Sequence, residues 1–299
     1  MTPAASGKGF DAALASCARE GLSTPPADVI DAGVAAALRE DIGDGDLSAA
    51  LLPDRHASAS IITRETAIVC GLPWAIRCFA ALDPDARFDV ATADGVRAEA
   101  DATILTVRAR ARALVGAERC ALNFLQTLSA VATETAKFAA VLEGTGTRVL
   151  DTRKTLPGLR QAQKYAVRAG GGDNHRMGLY DAVLIKENHI AAAGSIAAAV
   201  GEARRLGAGR FVEVEVETLA ELEQALAAGA ERIMLDEFGW DDLRRAVELN
   251  AGRAALEVSG SMDLDSVRRV ATLGVDYVSV GALTKNVRAV DLSMRLMAD

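Results

Sequence analysis

Residues 211–217 read FVEVEVE, and the fold class turns on what this stretch does. Side chains alternate along a strand, so Glu213, Glu215 and Glu217 share one face while Val212, Val214 and Val216 share the other. On an antiparallel sheet a face of three glutamates would simply be solvated. On a parallel sheet both faces are covered. If the valines pack on helices, the glutamates point into a barrel interior. Buried carboxylates need cations, and Lys154, Lys186 or a divalent metal could supply them.

Working outward, RVLD (148–151), AVLIK (182–186), RIMLD (232–236), AALEVSG (254–260) and YVSVG (277–281) read as further short strands. Amphipathic helices alternate with them. One opens with a capping box of Thr218 and Glu221 and closes at Gly229; another opens near Asp263 and closes at Gly274. Glu215, Asp236, Ser259 and Gly281 sit near consecutive strand ends, spaced 21, 23 and 22 residues apart. That is the repeat of a βα unit, and it predicts a parallel (β/α) barrel or a close variant from about residue 146 onward.

The chain before it differs. Residues 1–24 read as a flexible leader. DVIDAGVAAALREDIG (28–43) has helical spacing, whereas ASASIITRE (57–65), TAIVCG (66–71) and ATILTVRARARALV (102–115) read as strands. A long helix follows over 117–144. The division predicted is a leader over 1–24, an N-terminal α+β domain over 25–128 and a barrel domain over 129–284, with a C-terminal helix over 285–299 packing back on the first domain.

Composition narrows the function classes. Half of the 299 residues are apolar and a quarter charged, as in an ordinary globular protein. No apolar run reaches the roughly 20 residues that span a bilayer, and the N-terminus lacks a secretory pattern. The four cysteines form no CxxC pair. A cytoplasmic location with reduced thiols is the expectation, with no membrane partner. The net charge of −8 argues against nucleic-acid binding. Residues 148–186 nevertheless carry +5 and the rest −13, so a basic island points to a small anionic ligand.

Barrel chemistry sits at the carboxyl ends of the strands. Thr152, Arg153 and Lys154 follow the first strand and Lys186 the second. Glu215 and Asp236 offer hard oxygen ligands from adjacent strands, which suits Mg²⁺. Ser259, Gly260 and Gly281 place small residues where strands give way to loops, as phosphate sites require. In AGGGDNHRMG (169–178) the glycines allow unusual backbone angles and close approach, letting Asn174, His175 and Arg176 swing over the rim. Arg160, Lys164 and Arg168, four apart on a helix, read as a solvated stripe.

The blocks DTRKTLPGLRQAQKYAVRAGGGDNHRMGLYDAVLIKENHI, VEVEVETLAEL, IMLDEF, EVSG and VDYVSVGALTK closely resemble the quinolinate phosphoribosyltransferase family. EDIGDGDLSAALLP and AERCALNFLQTLS extend the likeness into the first domain. The resemblance implies an N-terminal α+β sandwich domain plus an incomplete α/β barrel. It implies that quinolinate and phosphoribosyl pyrophosphate, with Mg²⁺, give nicotinate mononucleotide, pyrophosphate and CO₂ in de novo NAD biosynthesis. It implies a homodimer or larger assembly in which Arg119, within ERCALN, reaches the quinolinate carboxylates across the interface. By the same resemblance Arg153, His175, Arg176 and Lys186 complete the quinolinate cage, with Thr152 beside it. Lys154 lies between the two substrates and acts with Glu215 and Asp236, which serve Mg²⁺ and the ribose hydroxyls. Ser259, Gly260 and Gly281 resemble the phosphate loops. Glu237, Ser261 and Asn286 depart from residues common in the family, and Glu237 puts a negative charge beside a polyanion site. The alternatives are a paralogous phosphoribosyltransferase with another acceptor, of the type associated with molybdate transport, and a non-catalytic sensor of phosphate or dicarboxylate.

Overall fold

A computed structural model describes residues 8–53, 55–207 and 209–297. The chain divides into two compact units, Met1–Ala136 with Leu156–Gly171 and Asn286–Asp299, and Lys137–Thr155 with Gly172–Lys285. In chain order the elements are α1 (Lys8–Ser16), α2 (Ala27–Ile42), β1 (His56–Thr63), β2 (Ala67–Ile68), α3 (Leu72–Leu82), β3 (Arg87–Val90), β4 (Arg97–Ala98), β5 (Thr103–Arg110) and α4 (Ala111–Leu142). Then come β6 (Arg148–Leu150), α5 (Arg160–Ala169), β7 (Ala182–Ile185), α6 (Glu187–Ala193), α7 (Ile196–Gly207), β8 (Phe211–Val216), α8 (Leu219–Ala227) and β9 (Arg232–Asp236). The last are α9 (Trp240–Asn250), β10 (Ala255–Ser259), α10 (Leu264–Ala271), β11 (Tyr277–Ser279), α11 (Ala282–Lys285) and β12 (Leu292–Leu296). Among the described residues no helix is long and apolar enough to cross a membrane.

The first unit holds an antiparallel sheet in the order β12-β1-β5-β3. Its core includes Ile61, Leu105 and Val107 from the strands and Trp74, Ile76 and Phe79 from α3, all at most 2 % exposed. Three expectations are corrected here. The supposed leader folds over residues 8–16 as α1, because Ala13 and Cys17, four apart, bury one face; residues 1–7 lie outside the described residues. The strand expected through residue 115 stops at Arg110, and Ala111 opens α4. Alternating Ala and Arg fit either period, and both are strong helix formers. The C-terminal helix expected over 285–299 is instead strand β12, whose residues Leu292–Leu296 pair antiparallel with Thr63–Ala59 of β1. Leu292, Met294 and Leu296 recur at the period of a strand, and β1 would otherwise be a bare edge.

The second unit is built on six parallel strands in the order β6-β11-β10-β9-β8-β7. β6 and β7, consecutive in this unit, form its two edges, so the barrel stays open between them. Val214, Val216, Ile233, Leu235, Val258 and Val278 are all at most 1 % exposed. The valine face of FVEVEVE is therefore packed, as a parallel strand requires. The capping box predicted at Thr218 forms with Glu221, and the helix predicted to open near Asp263 does so with a capping box of its own, Asp263 with Ser266.

Asp94 ties the first unit together. It is fully buried and accepts from Gly71 N–H (3.0 Å), Leu72 N–H (3.2 Å) and the Tyr165 hydroxyl (2.9 Å). It thus caps α3 and pins α5. Burial pushes its carboxyl from 3.8 up to about 6, against the opposing hydrogen bonds. The folded chain then holds this proton more tightly than the unfolded chain. The contribution to stability is full below about pH 4 and declines as pH rises to about 6. Relative to Asp94→Asn, wild type is expected to lose melting temperature between those pH values. Parallel melting curves for the two proteins across that range would contradict the assignment.

Candidate active site

Each strand of the second unit delivers polar residues to its carboxyl end, and the parallel register brings those ends together. Ser259 of β10 pairs with Asp236 of β9, and Ile185 of β7 pairs with Val214 of β8, which sets Lys186 beside Glu215. Lys186 Nζ donates to Glu215 Oε2 at 2.5 Å, with the glutamate 8 % exposed and the lysine half exposed. Glu217, at the mouth of the same strand, is exposed, and its N–H donates to Glu221 at 2.8 Å. After β6, Thr152 Oγ1 accepts from Lys154 N–H at 3.0 Å, and the Lys154 carbonyl accepts from Thr284 Oγ1 at 2.9 Å. The Lys154 stem crosses Gly281. A Cβ on residue 281 would stand 2.9 Å from Lys154 Cδ and 3.6 Å from Thr152 Oγ1. Glycine here leaves room for the close approach of the Lys154 stem and meets no demand of backbone angle.

One layer deeper lies a buried charge cluster. Glu213 and Glu257 are both 0 % exposed, and Arg232 lies between them. Arg232 Nε is 3.2 Å from Glu213 Oε1, an ion contact outside hydrogen-bond geometry, and its Nη2 donates to Glu257 Oε2. The guanidinium lies 4.0 Å from the Tyr277 ring centroid and 5.3 Å from that of Phe211. His175 closes the cluster, with Nε2 at 2.7 Å from Glu213 Oε2 and 3.6 Å from Glu257 Oε2. Burial, then the Glu213 charge, push the Glu257 carboxyl up to about 7; burial also raises Glu213, against Arg232. His175, Glu213 and Glu257 converge as metal ligands would. Arg232 already occupies their charge, so this trio is an ion-pair network.

The glycine loop explains how His175 gets there. Gly170 is forced by crowding: a Cβ would lie 2.3 Å from the Ala132 carbonyl oxygen. Gly171 adopts φ +88°, the left-handed region. The chain then runs as one more rung on β6, with Asp173 N–H donating to Val149 O (2.9 Å) and Asp151 N–H to Asp173 O (3.1 Å). Asp151, fully buried, accepts from His175 N–H at 3.0 Å and from Asn174 Nδ2 at 2.5 Å. The His175 ring is turned inward. Its Nδ1 accepts from Arg176 N–H at 2.7 Å, so Nε2 carries the proton donated to Glu213. Arg176 is pushed below its usual value by burial and then by the charge of Arg153.

Among the predicted residues, Thr152, Arg153, Lys154, Lys186, Glu215, Asp236, Ser259, Gly260 and Gly281 stand at strand ends of one sheet, and His175 and Arg176 join them through the Asp151 rung. Arg119 is exposed on α4 in the first unit. Glu237 adopts φ +52°, and its carboxylate lies 3.2 Å from where a Gly260 Cβ would be. Lys164 is corrected: the expected solvated stripe is fully buried at that residue, because α5 is covered from Ala162 to Val167. Arg232 and Glu257 were not foreseen. Their signal was the two-residue period, since Glu257 precedes Ser259 by two and Arg232 precedes Asp236 by four, on the inward face.

Models of the quinolinate phosphoribosyl transferase C-terminal and N-terminal domains match residues 131–295 and 46–129. The chain belongs to the quinolinate phosphoribosyltransferase family. Within this family it is 41 % identical over 249 residues to the nicotinate-nucleotide pyrophosphorylase (carboxylating) of Mycobacterium leprae, covering 80 % of this chain and 86 % of that one. It is 38 % identical to quinolinate phosphoribosyltransferase (decarboxylating) 1b of Nicotiana tabacum, covering 87 % and 80 %. The solved structure of the nicotinate-nucleotide pyrophosphorylase from Francisella tularensis superposes with a TM-score of 0.90 at 46 % identity, covering 92 % and 99 %. For a quinolinate phosphoribosyltransferase family rim, Gly281→Ala is a sharp probe, because the added Cβ meets a flexible lysine stem and not backbone. The melting temperature is expected to stay within about 2 °C while pyrophosphate release slows about tenfold or more. An unchanged rate would show that the position of Lys154 is immaterial.

Proposed function

We propose that this protein transfers the phosphoribosyl group of phosphoribosyl pyrophosphate to quinolinate, releasing pyrophosphate and CO₂ and yielding nicotinate mononucleotide for NAD biosynthesis. The observation that carries this reading is the convergence of basic and acidic side chains at one rim of a barrel whose chain is 46 % identical to a solved nicotinate-nucleotide pyrophosphorylase. A pyridine dicarboxylate needs several fixed cations, and Arg153, Arg176 and Lys186 supply them beside the buried ion network. In this reading Arg119 adds a further cation across a homodimer, and the enzyme works in the cytoplasm.

Lys154, bent across Gly281, is suited to reach between the dicarboxylate and the ribosyl phosphate. Ser259, Gly260 and Gly281 offer the bare backbone that phosphate contacts require. Glu215 and Asp236 fit Mg²⁺ as a donor set, two carboxylates at the ends of adjacent strands. When bound, Mg²⁺ supplies positive charge to the pyrophosphate oxygens. Lys186 holds Glu215 in place at 2.5 Å. The cationic side chains orient the quinolinate nitrogen toward the anomeric carbon, where the nitrogen lone pair forms the new bond as the bond to pyrophosphate breaks. The ring nitrogen becomes cationic. Its charge then stabilises the electron pair left on the adjacent ring carbon when CO₂ departs, and a proton takes up that pair in place of the lost group. No electron-sink cofactor is needed.

Purified protein given quinolinate, phosphoribosyl pyrophosphate and Mg²⁺ is expected to release CO₂ and pyrophosphate in equal amounts. Arg176→Ala is expected to lower that rate by about a hundredfold or more, the scale of losing an oriented charged donor. Pyrophosphate release with another acceptor but none with quinolinate would contradict the proposal and favour the paralogous transferase.

A further inference from the structure

Arg232 lies below the rim, with its guanidinium engaged by neighbouring side chains. It is 12 % exposed, held at its Nε and Nη2 by Glu213 and Glu257, and packed against the Tyr277 and Phe211 rings. It starts β9, four residues before Asp236 at the carboxyl end, so it lies a layer below the rim. Its chemical work is therefore done through other residues. Two carboxylates are buried around it, and it is the cation in contact with both. Each carboxylate also faces His175 Nε2, at 2.7 and 3.6 Å. The imidazole is fixed on its other side by Arg176 N–H, which Nδ1 accepts at 2.7 Å. A chain of contacts thus runs from Arg232 through a carboxylate and an imidazole to the main chain of Arg176.

Removing the cation would leave two adjacent buried carboxylates facing the His175 imidazole, with the Ser279 side chain bonded to Glu257 and the Arg176 charge acting on Glu213 but no cation between them. A buried pair of like charges cannot persist in that state. The carboxylates would move apart, and with them goes the contact that holds the His175 ring in its orientation. Removing one carboxylate together with the cation would restore the balance. This dependence on charge balance separates a positioning role from simple packing.

We propose that Arg232 is a positioning residue for dicarboxylate capture: by neutralising Glu213 and Glu257 it lets them hold His175, which holds the Arg176 backbone and so aims the Arg176 guanidinium. This rests on the reading of the rim as a quinolinate site. The phosphoribosyl pyrophosphate side of the rim, at Ser259, Gly260 and Gly281, is outside this chain of contacts.

The test compares wild type, Arg232→Met and the double variant Arg232→Met with Glu257→Gln, all as full-length protein. Arg232→Met is expected to raise KM for quinolinate tenfold or more and to leave KM for phosphoribosyl pyrophosphate within twofold. The double variant is expected to return KM for quinolinate to within about threefold of wild type, although it carries one more substitution. A folded Arg232→Met with unchanged quinolinate KM, equal rises in both KM values, or a double variant no better than the single would each overturn the proposal. Nitrogen-15 spectra of wild-type protein test the His175 step of the chain independently should Arg232→Met fail to fold. The expected His175 signal is a neutral ring protonated at Nε2, and a ring protonated at Nδ1 would overturn the link. Wild-type protein without quinolinate turnover would count against the functional reading, while the same spectra still judge the His175 link.

Discussion

Two glutamates turned into a barrel interior cannot stand there as bare charges, and much of the second unit follows from how they are paired. Glu213 and Glu257 come from β8 and β10, with Arg232 of β9 between them. Three adjacent strands thus share one ion network, and its fourth member, His175, arrives from a loop that could not reach it without glycine. Gly170 and Gly171 are needed for different reasons, one for contact with the Ala132 carbonyl and one for its left-handed backbone. Beyond them the Asp173 rung on β6 lines the loop up with the sheet. A buried electrostatic requirement in the barrel and a backbone requirement in the loop are met by the same few residues.

The layer above is organised by register. In a parallel sheet every strand ends at the same edge, so a residue placed last on each strand joins a common rim. Lys186 against Glu215 shows the result, a cation and a carboxylate from neighbouring strands at contact distance. The open side of the barrel, between β6 and β7, is where the basic residues gather: Arg153 and Lys154 follow one edge strand, and Arg176 and Lys186 flank the other. Glu237 is the exception to that charge pattern. Its left-handed backbone and its approach to Gly260 put a carboxylate beside a loop read as a phosphate site.

Much of this was legible from residue order. The alternation in FVEVEVE, the 21 to 23 residue repeat and the Thr218–Glu221 capping box are local patterns, and each survives in the structure. What was not legible depended on distant partners. The C-terminal segment became a strand because β1 offered an edge 229 to 237 residues earlier in the chain, a fact no local pattern carries. The spacing of Lys164 fits a solvated surface stripe, and only tertiary packing buries it. Arg119 carried no signal in its own helix and entered through family resemblance alone. Arg232 was readable in principle, since strand periodicity puts it on the inward face, but a strand-opening arginine looks like an ordinary solvated end.

The central claim is that the rim captures a dicarboxylate through guanidinium groups held in place by the ion network beneath. A crystal structure of the protein with quinolinate tests this most directly. Ligand carboxylates are expected at hydrogen-bond distance from Arg153 and Arg176, with the His175 ring still donating to Glu213. A ligand carboxylate bound to His175 with its ring turned away from Glu213, or quinolinate bound away from this rim, would contradict it.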